Sequence, residues 1–202
     1  NKICSDSDYS FFVAGHIYGD PYSNDDTIGV YQPFLDKVDA INSCDKIEMG
    51  MFTGDVVKWA DSLRIAVLKE DLSLLNMPYN IAPGNHDRTP LFYENFTNNN
   101  TFYLQKYLFI NINLTYNWNI TNSNLSLIDS IYNANNENIN NIYVFMHELT
   151  WWSPDSIFQE ISLNYEPYYQ GETNFWSTVA PLMKNYNKEV FFFSGDLGAF
   201  PN

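Results

Sequence analysis

The chain contains three histidines, and each follows closely on a short apolar run. His16 comes after Phe11 to Ala14, His86 after Tyr79 to Ala82, and His147 directly after Ile142 to Met146. Two further runs, Ile47 to Thr53 and Val190 to Ser194, lead through a glycine to Asp55 and Asp196, and His86 is flanked by Asn85 and Asp87. A lone histidine at a strand end is usually packing, but packing gives no reason to gather every histidine with two Gly-Asp pairs at equivalent places. Imidazole nitrogen, carboxylate oxygen and amide oxygen, without thiolate, suit one or two divalent metal ions such as Zn, Mn or Fe. Two such ions about 3.5–4 Å apart would hold both the attacking and the leaving oxygen of a phosphoryl transfer. The chemistry suggested is hydrolysis of a phosphate ester.

The elements that must present these groups follow from periodicity. Short apolar runs alternate with longer amphipathic segments, the pattern of β-α units around a mostly parallel sheet. In such a sheet the strand ends share one edge, where open α/β sheets bind ligands. Helices are expected over Tyr31 to Ile41, Ala60 to Leu75, Leu125 to Asn133 and Phe175 to Asn185. In the second of these, Leu63, Val67, Leu68, Leu72 and Leu75 are expected to bury one face. Between Asn95 and Asn124, the segment "TFYLQKYLFININL" between Asn-rich turns reads as a hairpin or a pair of sheet-edge strands, and as insertion-like.

At 202 residues the chain suits a single domain, taken as 1–202. Its formal net charge of −14, with only 10 Lys and Arg, argues against bulk nucleic acid as a partner and leaves a small-molecule or phosphorylated substrate. No apolar stretch reaches the roughly 20 residues that span a bilayer. Cys4 and Cys44 suit either a disulfide or two reduced buried thiols, and the balance leans to a secreted or extracytoplasmic setting.

The stretch "MFTGDVVKWADSLRIAVLKEDLSLLNMPYNIAPGNHD", followed by a strand ending in His147 and then by "SGDLGA", resembles the calcineurin-like metallophosphoesterases over nearly the whole chain. That resemblance implies an α/β fold, a metallophosphoesterase-like sandwich of two mixed β-sheets flanked by helices. It implies that Asp55 bridges two metals and that Asn85 and His147 serve the second. His86 would face the substrate, stabilising the transition-state charge or protonating the leaving oxygen, with Asp87 orienting or tuning its ring.

Two motifs depart from the family. Where it opens with Asp, any residue, His, Gly, this chain has His16, Ile17, Tyr18, Gly19; where it closes with Gly, His, any residue, His, this chain has Gly195, Asp196, Leu197, Gly198. His16 and Asp196 are thus expected to be replacement metal ligands, and Tyr18 a poor one, since a phenol titrates near 10. The alternative is a non-catalytic binding or scaffold domain with a degenerate metal site. The chain stops six residues after Asp196, so either it is a fragment lacking its C-terminal strands or its second sheet is small. Asp20, Asp25 and Asp26 are read as solvated loop acids. Trp151, Trp152, Tyr168 and Tyr169 are read as pocket wall or packing, and Arg88 as a phosphate ligand or a surface ion pair.

Overall fold

The computed structural model describes residues 9–18, 28–96, 101–104, 106–115, 117–152, 163 and 173–197. Cys4, Gly19, Asp20, Asp25, Asp26, Tyr168, Tyr169 and Gly198 lie outside them. The chain divides into two compact units, Asn1–Asn98 and Asn99–Asn202.

In the first unit, β1 (Ser10–Ala14), β2 (Ile47–Phe52) and β3 (Tyr79–Ile81) form a three-stranded sheet in that order, parallel throughout. Parallel neighbours require crossovers, and α1 (Gln32–Asn42) and α2 (Ser62–Leu72) supply them. Helix α2 begins where Asp61, in extended backbone, accepts a hydrogen bond from the Arg64 N–H at 2.9 Å. Its buried side chains are Ile65, Leu68 and Leu72, spaced three and four apart. Leu63, expected on that face, is 57% exposed, because Ile65 holds the position one turn before Leu68 and Leu72. These residues pack with Val38 and Ile41 of α1, with Ile47, Phe52 and Ile81 of the sheet, and with Phe92 of a short helix, α3 (Pro90–Asn95). Gly50 is required in β2, since a Cβ there would lie 2.3 Å from the Phe12 ring that packs edge-on to Phe52.

In the second unit, β4 (Thr101–Leu104), β5 (Tyr107–Asn111), β6 (Asn141–Met146) and β7 (Glu189–Ser194) follow in order. β4 and β5 form an antiparallel hairpin, and β5, β6 and β7 are parallel. This corrects the insertion reading of "TFYLQKYLFININL": β5 is an interior strand, with Leu108 to Asn111 buried, and it carries the core of its unit. Helix α4 (Asn122–Asn135) starts on Thr121, whose hydroxyl accepts from the Asn124 N–H at 3.2 Å, and buries Leu125, Ile128 and Tyr132. A π-helical turn, Phe175–Val179, runs on into α5 (Ala180–Lys184). Together with Leu108, Ile110, Ile142 and Val144 these helices close one face of the sheet. Its other face carries stacked rings, Phe109 on Tyr143, Tyr143 on Phe191 and Phe145 on Phe193.

The fold is therefore α/β, with helices packed on each sheet. The expectation that all five strand ends share one edge is corrected: the ends leading to His16, Asp55 and His86 belong to the first sheet, and those leading to His147 and Asp196 to the second.

Candidate metal and catalytic centre

In the first unit the chain leaves β1 and β2 through strained backbone. His16 and Asp55 both adopt the left-handed region, with φ of 49° and 52°, which costs a non-glycine residue of order 1–3 kcal/mol and persists only where the surroundings fix it. Here the two exits fix each other, since the His16 N–H donates to the Gly54 carbonyl at 3.1 Å. The result aims both side chains at one point. Nδ1 of His16 lies 3.6 Å from Oδ2 of Asp55, which is itself only 2% exposed.

The turn after β3 completes this cluster. The backbone N–H of His86 donates to Oδ1 of Asp55 at 3.1 Å, while Nε2 of its ring lies 4.0 Å from Oδ2. Gly84 makes the approach possible, because a Cβ there would stand 2.1 Å from Oδ1 of Asp55. The His86 ring is held from behind by a 2.7 Å hydrogen bond between Nδ1 and the Lys58 carbonyl. A carbonyl only accepts, so Nδ1 carries a hydrogen and Nε2 is the atom left facing the site.

Asp87 is fully buried, and its two oxygens accept from three backbone N–H groups: Oδ1 from Val56 at 3.0 Å and Val57 at 3.2 Å, and Oδ2 from Gly84 at 2.8 Å. It ties the turn after β2 to the turn after β3. The ring-orienting bond expected of Asp87 is made instead by Lys58. Asn85 lies exposed in the same turn, and the Arg88 guanidinium donates to the Pro83 carbonyl at 3.3 Å. Tyr18 is buried, its ring centroid 5.9 Å from His16 and 5.4 Å from His86.

The second unit presents its own pair. The His147 carbonyl accepts from the N–H groups of Gly195 and Asp196, both at 2.9 Å, and from the Ser194 hydroxyl at 2.7 Å. Three donors from one strand exit thus clamp the next exit beside it. Oδ1 of Asp196 stands 4.0 Å from Nε2 of His147, with both side chains buried. Glu148 is buried immediately after His147 and was missed by sequence reasoning; its place behind a strand-end histidine was the available signal. Asn111 was also missed. It closes β5, is 4% exposed, and among the described residues neither its amide nitrogen nor its amide oxygen has a partner. Trp151 packs on Phe175 and Phe192 of the core, which is the packing role.

These residues fit a cation. The His16 to Asp55 separation is too long for a hydrogen bond and close to that of two atoms each bound about 2.1 Å from one ion. The sequence model of the family described as calcineurin-like phosphoesterase matches residues 7–197 and so runs through both units. Among curated proteins nothing matches the chain.

Proposed function

Because the chain belongs to the calcineurin-like phosphoesterase family, we propose that it hydrolyses a phosphate monoester or diester with the help of a bound divalent metal. The observation that carries this reading is the pair of imidazole nitrogens facing Oδ2 of Asp55 at 3.6 and 4.0 Å on a strained, glycine-relieved turn.

In this reading His16, Asp55, Asn85, His147 and Asp196 would be the residues that hold metal, an assignment supported by the family's motif order. The bound ion, Zn, Mn or Fe, would supply Lewis acidity and water acidified enough to act as a nucleophile near neutral pH. His86 acts at the leaving group. Its Nδ1–H is committed to Lys58, so Nε2 is the atom from which a proton would pass to the departing oxygen. In balance, the water gives up one proton to solvent as its oxygen bonds to phosphorus, the bond from phosphorus to the leaving oxygen breaks, that oxygen takes the Nε2 proton of His86, and a solvent proton restores the ring. Asp87 acts as a positioning residue by locking the turn that carries His86.

The test is metal content together with turnover. Protein purified without chelator is expected to carry at least one equivalent of metal and to cleave 4-nitrophenyl phosphate or bis(4-nitrophenyl) phosphate, the pair separating monoesterase from diesterase. His86→Ala is expected to keep the metal and lose turnover. Metal-free protein with no turnover dependent on His86 would sink the proposal. A second reading, a metal-binding domain without turnover, draws on Tyr18, which is buried where the family has a histidine ligand; retained turnover in the wild type excludes it. A disulfide at the buried Cys44 supports an oxidising compartment for either reading. Among the described residues no helix is long and apolar enough to cross a membrane.

A further inference from the structure

Given the phosphoesterase reading of His86, on which this depends, we propose that Trp59 is a specificity-determining platform that receives a planar, aromatic leaving group. Trp59 is 56% exposed, whereas an indole serving only to fill the core is buried, as Trp118 is at 1%. Its ring centroid lies 5.5 Å from that of His86. Of the two aromatic rings found beside His86 among the described residues, Tyr18 is buried and has no face to offer, and Trp59 has one.

The indole stands on backbone tied to the site on its N-terminal side and closed by a turn on the other. Val56 and Val57 bond the Asp87 carboxylate, the Lys58 carbonyl bonds His86, and the Trp59 carbonyl accepts from the Asp61 N–H at 2.9 Å. The segment that carries the indole therefore does not have to be ordered when a ligand arrives, which lowers the entropy that stacking costs. The position is also chemically selective. For His86 to protonate the leaving oxygen, that oxygen must come within hydrogen-bond reach of Nε2. Whatever is bonded to the oxygen then lies roughly one ring's width from His86, the distance at which Trp59 stands. A flat, apolar group gains there by stacking, and a small alkyl group does not. In a chain of net charge −14, such a contact also holds an anionic ester by its uncharged end.

The measurement is the ratio of kcat/KM for phenyl phosphate to kcat/KM for ethyl phosphate in the wild type and two variants, so that the intrinsic reactivities of the esters cancel between proteins. Trp59→Ala is expected to lower the ratio about tenfold, and Trp59→Phe, which keeps a ring, to retain most of it. A ratio unchanged in Trp59→Ala, or lowered equally in both variants, overturns the proposal. If the wild type cleaves neither these two esters nor bis(4-nitrophenyl) phosphate, the phosphoesterase reading falls. Calorimetry with phenylphosphonate and methylphosphonate then decides on Trp59 separately: a phenyl preference lost in Trp59→Ala supports the platform, and no phenyl preference in the wild type overturns it.

Discussion

Asp87 and Asn111 are both buried polar side chains, and their partners set opposite expectations. Three backbone N–H groups depend on Asp87, so Asp87→Ala strands them away from water and is expected to cost at least about 3 kcal/mol in urea unfolding. A residue acting only on the His86 ring would change stability far less. Among the described residues neither amide atom of Asn111 has a partner, so Asn111→Leu in chelated protein is expected to leave stability unchanged or raise it by about 1 kcal/mol, read from urea unfolding. His86→Ala is expected to lower kcat about 10²–10⁴-fold, the usual worth of a positioned proton donor, with metal content preserved. That His16, Asp55, Asn85, His86, Asp87, His147 and Asp196 follow the ends of strands was legible in the sequence, because an apolar run ending in glycine or a polar residue marks a strand exit. The tasks of Asp87 and Lys58 were not, since their bonds join residues about thirty positions apart.

Helix α2 separates what apolar periodicity can and cannot decide. Leu68→Ala removes a fully buried side chain and is expected to destabilise by about 2–5 kcal/mol, whereas Leu63→Ala, at an exposed site, is expected to stay within about 0.5 kcal/mol. Several leucines were available to fill the inner stripe, and the cap at Asp61 fixed the phase that turned Ile65 inward. That cap also carries a pH dependence. The Arg64 backbone N–H, assisted by the Arg64 guanidinium, holds the Asp61 carboxyl below its ordinary value of 3.8. Because the folded state prefers the ionised form, the contribution is complete above the ordinary value and fades as pH falls through the depressed one. Asp61→Asn, still a capping residue, is expected to flatten this part of an acid titration followed by helical circular dichroism. The interior place of β5 had a different cause of illegibility. A hairpin is written in adjacent residues, but its second strand's other neighbour, β6, begins some thirty residues later.

At the scale of the whole chain, the proposed metal would make binding and folding a linked pair. An ion bound only by the folded protein raises Tm by mass action, so chelation is expected to lower Tm, and His147→Ala to reduce the difference between chelated and metal-loaded protein. Reducing the disulfide at Cys44 is expected to cost a further 2–5 kcal/mol or so, measured as the unfolding midpoint with and without reductant. The left-handed backbone at His16 sets function and fold in competition at one residue. Glycine visits φ near 50° without the steric penalty, so His16→Gly is expected to relax the exit of β1 by roughly 1 kcal/mol while stripping the site of an imidazole. A lineage released from its chemistry would therefore drift toward glycine or asparagine at that position.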